Sequence, residues 1–378
     1  MRRSRTGWED ISRVRLRQPA ARLCVALRRD EIVIRAGAAF SGFSPPGGGP
    51  RVDAMATTAA NAPIRRHHHI TLCSGTAQED YDFHTKVLSL KSVKKTALYD
   101  GDVPIYHLYY GNDLGEESTL VTTFPMRQSG RKGRKGTGQI RTLSLSIPVS
   151  GLGFWHKRLT DHGFAVREAS RFGERALAFQ HPCGLDYELV GITDDNRKPY
   201  SNGEVPSELA IRGTHAIVVS VREHETSNEF MTVGWSARRI AEDGRYVRYV
   251  FGDGESPHTG KIVDFALEPE LPQASWTYGE GIVHHCAFQV DDYTAQDQVK
   301  FRIEGMGFTD VSERKDRGYF DSIYVRTPAG ALFEATVSKP GGMTVDEKID
   351  QIGTSFQIPP PFRHRAKELM EYLEPLRY

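Results

Sequence analysis

Residues 327–337 read TPAGALFEATV, and residues 181–190 read HPCGLDYELV. Pro328, Gly330 and Glu334 in the first stretch match Pro182, Gly184 and Glu188 in the second at identical offsets. Each stretch is a turn signal followed by a strand-like run. The segments upstream match as well, with DHGF at 161–164 and GMGF at 305–308 where a helix would end. From residue 64 onward the pattern recurs at a period of about 70 residues: a strand, an amphipathic helix, then three more strands.

The first copy opens with HHHITLCSG (67–75), and Thr76 and Glu79 then have capping-box spacing. Phe83 and Val87 follow at i and i+4, and KSVKKTALY, PIYHLYYG and STLVTTFP supply its later strands. The second copy opens with IRTLSLSIPV and carries FWHKRLTDHGF; the third opens with GTHAIVVSV and ends in HTGKIVDFALEP. The fourth opens with EGIVHHCAFQV (280–290) and sets Ala295, Val299 and Ile303 on one helix stripe. A repeat of this length suits a solenoid or propeller too. The strand-rich βαβββ unit argues instead for an α+β fold, four βαβββ modules forming two curled mixed-sheet halves around a metal cavity. The expected modules are 64–135, 136–205, 206–275 and 276–340, between an extension (1–63) and a tail with a helix (341–378). On that helix Ala366, Leu369, Met370 and Leu373 share a stripe.

Residues 1–54 differ in kind: they are Arg-rich, contain no Lys and end in SGFSPPGGGPRVDA before Met55. An upstream-extended reading with Met55 as initiator, a transit peptide and a disordered tail are the readings weighed; Glu9, Asp10, Asp30 and Glu31 argue against the transit peptide. The net charge of +1 disfavours a nucleic-acid partner. No apolar stretch reaches the roughly 20 residues of a membrane helix. Cys24, Cys73, Cys183 and Cys286 are scattered, which fits a reducing cytoplasm better than a disulfide or zinc framework. A homo-oligomer is compatible with the sequence.

Each candidate ligand lies at a matched module position: His69 and His285 on the opening strands of modules one and four, Glu334 on the closing strand of module four. Two imidazoles and one carboxylate are the facial set that holds a divalent metal and leaves positions open. A lone strand histidine is more often packing than a ligand, but three residues at matched positions reverse that prior. Module two has no histidine on its opening strand, so His215, Glu188 and Asp264 lack a second imidazole; that half is read as metal-free. The last strand of module one offers Thr122 and Thr123 where a fourth carboxylate would stand. Alternation turns Cys286 away from the site and puts Thr71 on the face of His69. His107 and His224 are the strongest decoys: His107 could face the cavity near substrate, and His224 reads as a solvated helix start. The basic run GRKGRKG (130–136) reads as a solvated linker.

The βαβββ repeat with a His on the first strand and a Glu on the last resembles the vicinal-oxygen-chelate superfamily. Five stretches resemble its hydroquinone ring-cleaving dioxygenases: HHITLCSGTAQEDYDFH, LYDGDVPIYHLYYGN, TTFPMRQSGRKGRKGTGQ, EGIVHHCAFQV and ERKDRGYFDSIYVRTPAG. The resemblance spans nearly all of residues 65–340. It implies Fe(II) as cofactor, a hydroquinone and O2 as substrates, and roles beside the metal for His68, Thr71, His284, Arg317 and Tyr324. His284 and Arg317 would hydrogen-bond substrate or oxygen, and Tyr324 would bind or protonate an oxygen. His68 and His284 precede their ligands, so ideal alternation turns them away unless each strand carries a bulge or twist. The other readings are an extradiol catechol dioxygenase, a Zn or Ni glyoxalase-type lyase, and a metal-free small-molecule binder. The missing fourth carboxylate counts against the lyase.

Overall fold

The turn shared by the two matched stretches is one turn used twice. In the computed structural model, which describes residues 63–100, 103–252, 260–275 and 277–378, Gly184 N–H donates to His181 O at 2.7 Å and Gly330 N–H to Thr327 O at 2.8 Å. The return bonds, His181 N to Leu185 O and Thr327 N to Ala331 O, are 2.9 and 2.8 Å. Both glycines hold positive φ, 88° and 109°, a backbone region that a side chain disfavours. That requirement explains why the sequence repeats a glycine there.

The modules follow in chain order. Module one is β1 (His67–Ser74), α1 (Ala77–Asp82), β2 (Lys91–Asp100), β3 (Val103–Gly111) and β4 (Leu120–Pro125). Module two is β5 (Gln139–Pro148), α2 (Leu152–Asp161), β6 (Arg167–Arg171), β7 (Glu174–Gln180) and β8 (Asp186–Ile192). Module three is β9 (Gly213–Val221), α3 (Glu225–Glu229), β10 (Arg238–Asp243), β11 (Tyr246–Val250) and β12 (Ile262–Leu267). Module four is β13 (Ile282–Gln289), α4 (Tyr293–Gly305), β14 (Lys315–Asp316), β15 (Phe320–Arg326) and β16 (Leu332–Ser338). Modules one and four join through β1 and β13 into one eight-stranded sheet, and two and three through β5 and β9 into the other. Within each module the first strand pairs parallel with the last, while the joints between modules are antiparallel.

The apolar core links modules that are neighbours in the chain rather than in a sheet. Phe83 of module one packs on Phe179 and Tyr187 of module two. Trp235 of module three packs on Phe288 and Phe333 of module four. Every module is therefore held by a sheet to one partner and by its helical side to another.

Thr76 caps α1 by accepting from Glu79 N, but the Glu79 side chain turns to Arg127. α1 continues as a π-helical turn, Phe83–Val87, whose Phe83 and Val87 are buried. On α4, Val299 and Ile303 are buried beside a partly buried Ala295. The tail helix α5 (Ala366–Tyr372) buries Leu369, followed by Leu373, against module one, but Met370 is 47% exposed. Of the expected stripe, Leu369 and Leu373 are buried and Ala366 is half-buried, while Met370 faces outward. The linker 130–136 has mostly exposed side chains, yet Gly133 N bonds Glu280 O at 2.9 Å. The readings of residues 1–62 lie outside the described residues.

Candidate metal centre

Both expected bulges are present, and they build the site. Across the β1–β13 pair, His67 faces Phe288 while His69 faces Ala287, which leaves His68 as the extra residue. On the other strand, Thr71 faces His285 and Leu72 faces Val283, so His284 is extra. A bulge turns two successive side chains toward one side. Each His-His pair therefore presents both rings together, with centroids 5.1 Å apart for His68–His69 and 4.9 Å for His284–His285. Nδ1 of His68 lies 2.9 Å from Nδ1 of His69, and Nδ1 of His284 lies 2.7 Å from Nδ1 of His285. The first histidine of each pair stands behind the second and engages its Nδ1.

With Nδ1 engaged, Nε2 of each second histidine points into the cavity. The two Nε2 atoms are 3.2 Å apart, and Glu334 Oε2 is 2.9 Å from that of His285 and 4.0 Å from that of His69. The three residues are 1%, 5% and 0% exposed. Ser322 and Thr336 both donate hydroxyls to Glu334 Oε1. Oε2 has no hydrogen-bond partner, although His285 Nε2 lies 2.9 Å from it. A buried, unpartnered carboxylate oxygen costs free energy unless a cation meets it. Burial alone would raise the Glu334 carboxyl, but His285, His69 and Ser322 outweigh it and hold it well below the carboxylate range. Burial holds His69 neutral, well below the usual imidazole range. One carboxylate oxygen and two imidazole nitrogens converging in a buried pocket fit a divalent metal.

No protein-family model matches the chain. It is 43% identical over 306 residues to the chlorohydroquinone/hydroquinone 1,2-dioxygenase of Sphingobium indicum, covering 80% of this chain and 94% of that one. It is 31% identical over 310 residues to MhqE of Bacillus subtilis, named as a ring-cleaving dioxygenase, covering 82% and 98%. A Bacillus subtilis crystal structure described as a dioxygenase superposes with a TM-score of 0.76 at 30% identity, covering 83% of this chain and 98% of that one. The chain belongs to the ring-cleaving dioxygenases of the vicinal-oxygen-chelate superfamily. Maize glyoxalase I shares the fold, with a TM-score of 0.54 at 14% identity over 72% of this chain and 92% of that one.

In this dioxygenase the fourth ligand position is filled by a threonine. β13 pairs with β16 so that Ala287 faces Glu334, and β1 pairs with β4 so that Thr71 faces Thr122. His285 and His69 each stand two residues before those partners, so Thr122 occupies on β4 the place of Glu334 on β16. Thr71 Oγ1 lies 2.9 Å from His285 Nε2 and 2.7 Å from Thr122 Oγ1. His107, read as a decoy, belongs to the cavity: its Nε2 is 3.2 Å from Thr122 Oγ1 and its Nδ1 3.0 Å from Tyr109 OH. Sequence reasoning missed Tyr109, Ser322 and Thr336. Their signal was alternation along PIYHLYYG and DSIYVRT, which puts Tyr109 on the face of His107 and Ser322 on that of Tyr324. Arg317 Nε donates to Tyr324 OH at 2.9 Å, and the Tyr324 ring meets His285 edge-on at 5.9 Å. Burial and Glu334 keep the Tyr324 phenol protonated, well above its usual range. Arg326 turns instead to Gly330 O and Tyr278 OH. Cys286 is buried in the core.

The other half of the dioxygenase carries its own cations. On β5 and β9 the bulges fall at Arg141 and His215, the places of His284 and His68. His215, taken for a ligand-like position in the sequence, is therefore one residue out of register; Thr142 and Ala216 stand where His285 and His69 stand. Arg171 donates to Glu188 and Asp264, each at 2.8 Å, and Arg248 grips Asp264 at 2.8 and 2.9 Å. Two guanidiniums neutralise the buried acids there.

A second set, Asp80, His84 and His181, also converges within 4.8 Å. The hydrogen bonds of its two imidazoles argue against a ligand role. His84 Nδ1 donates to Asp80 O at 2.9 Å, since a carbonyl only accepts. His181 Nδ1 accepts from Cys183 N at 3.1 Å, so its Nε2 carries the proton. Both face Asp80 Oδ1 at 3.5 Å as N–H groups, while Tyr110 and Thr123 donate to Oδ2. The cluster is a cradle for one buried carboxylate, tying α1 to module two.

Proposed function

We propose that this dioxygenase depends on Fe(II) and opens the ring of hydroquinones, placing both atoms of O2 in a ring-opened acid. The observation that carries the reading is the three-residue ligand set with Thr122 in the fourth place. When iron is bound, such a set supplies adjacent open positions at which a phenolate and O2 meet. The name of the Sphingobium indicum relative supports the substrate class.

The chain's own residues have separable roles in this reading. Tyr324 is a protonated phenol beside His285 and donates to oxygen that gains charge. Arg317 fixes the Tyr324 hydroxyl and adds positive charge to the same corner. Thr71 and Thr122 carry hydroxyls from His107 toward the ligand nitrogens. Phe320, 4.8 Å from the His69 ring, and Phe124, 4.6 Å from the His107 ring, give an aromatic ring apolar walls. His68 and His284 act through the ligand histidines rather than on substrate.

Turnover of hydroquinone by Fe(II)-reconstituted protein under isotopically labelled O2 tests this. The expected product is a ring-opened acid with both labelled atoms. Labelled water formed without ring opening would refute the assignment.

A further inference from the structure

The two ligand histidines have different backing. His285 is backed by His284, whose ring stacks on Tyr278 at 3.7 Å, and Tyr278 OH receives the Arg326 guanidinium at 3.0 Å. His69 is backed by His68, and from His68 a polar chain continues to a carboxylate. His68 Nε2 lies 2.9 Å from Ser338 Oγ, and Ser338 Oγ donates to Glu117 Oε1 at 2.5 Å.

The carboxylate end fixes every proton in that chain. Glu117 can only accept, so the Ser338 hydroxyl hydrogen points to it. Ser338 Oγ must then accept from His68 Nε2–H. With its proton on Nε2, His68 is left with a bare Nδ1. That atom accepts from His69 Nδ1–H, and His69 Nε2 presents its lone pair to the metal position. Burial would raise the Glu117 carboxyl, but the Ser338 hydroxyl bond outweighs it and keeps it below its usual value.

The backbone is bent to put Glu117 there. Ser118 next to it holds φ of 62°, a left-handed conformation that disfavours any residue but glycine. Ser118 N donates to His68 O at 3.0 Å, and Ser118 O accepts from Thr214 N at 2.8 Å, Thr214 Oγ1 at 3.0 Å and Arg197 Nη1 at 2.5 Å. The first bond ties the Glu117 loop to the histidine it backs.

We infer that Glu117 is a positioning residue of the metal centre, acting through Ser338 and His68 to fix the tautomer of His69 and strengthen it as a ligand. An anion stands behind His69 and a cation behind His285, so His69 is the stronger donor of the two. Outer partners of this kind alter metal affinity by about 10- to 100-fold. The inference rests on His69, His285 and Glu334 being the metal site, but not on the substrate.

The test is Co(II) binding to metal-stripped protein, followed by visible absorption and by competition with a chelator, with no substrate present. Glu117→Gln keeps the shape and removes the charge; Ser338→Ala breaks the chain in the middle. Each is expected to weaken Co(II) binding about 10-fold or more and to shift the absorption bands. The double variant should be no weaker than the worse single one, since both cut one chain. Glu117→Asp should recover part of the loss. Thermal melts of the metal-free proteins check that each variant is folded; if one unfolds, the other, which cuts the same chain, carries the test. Wild-type affinity and bands in Glu117→Gln and Ser338→Ala would overturn the inference while leaving the metal site standing. A wild-type protein that binds no Co(II) would overturn both.

Discussion

Thr122 on β4 stands in the register position that Glu334 holds on β16. The two strands pair parallel with the two histidine strands in the same way, so the closing residue of each module faces the same cavity. One module supplies a carboxylate there, and the other a hydroxyl that bonds Thr71. A glutamate at that position would close the set with a fourth ligand. Thr122→Glu is expected to hold its metal at least as tightly and to lose oxygenase turnover by about 100-fold or more, because an open position is gone. Metal analysis beside an oxygen electrode reads both; full turnover with a fourth ligand in place would contradict the assignment.

Tyr324 is held by Arg317 with its phenol protonated. Tyr324→Phe removes only the hydroxyl. Loss of a positioned proton donor costs about 10²-fold or more in kcat. KM should change little, and metal content should not change. Steady-state kinetics decide; a kcat within a factor of two or so of the wild type would remove Tyr324 from the proton-donating role.

In the second half, Arg171 bridges Glu188 and Asp264 with its side chain 8% exposed. Arg171→Ala leaves two buried carboxylates short of a partner, at a cost of about 3–5 kcal/mol. Urea unfolding measures this. The metal content of the purified variant should remain that of the wild type, since the site is in the other sheet.

Asp195 accepts from Arg197 at 2.5 Å and from Ser146, and Arg197 reaches on to the Ser118 and Thr214 carbonyls. Burial would raise the Asp195 carboxyl, but Arg197 lowers it below its ordinary value. A depressed folded-state pKa contributes stability above the unfolded value, about 3.9. That stability disappears as pH falls through the folded value. Asp195→Asn should therefore be less stable than wild type at neutral pH, with the gap narrowing below about pH 4. Denaturant midpoints across pH would show it; a gap that widens on acidification would contradict the sign.

Much of the site was legible because the repeat is. Pro328, Gly330 and Glu334 could be matched to Pro182, Gly184 and Glu188 because the same positive-φ turn needs the same glycine. His69, His285 and Glu334 were legible through those matched positions. The pairing of module one with four followed from module two lacking a histidine on its opening strand while module four holds both His285 and Glu334. Register was harder. His215 looked equivalent to His69 until the β5–β9 bulge put it in the place of His68. A bulge has no fixed sequence signature, yet it decides which of two adjacent histidines reaches a metal. Glu117 was illegible for a different reason: it acts through hydrogen bonds to residues distant in sequence, with no local pattern to mark it.

The most direct measurement is the ratio of O2 to hydroquinone consumed by Fe(II)-reconstituted protein, with His69→Ala, His285→Ala and Glu334→Ala beside it. A one-to-one ratio in the wild type, with neither iron retention nor uptake in any of the three variants, is the predicted result. Failure of the iron-replete wild type to take up O2 with any hydroquinone, or full uptake by one of the three variants, would contradict the account.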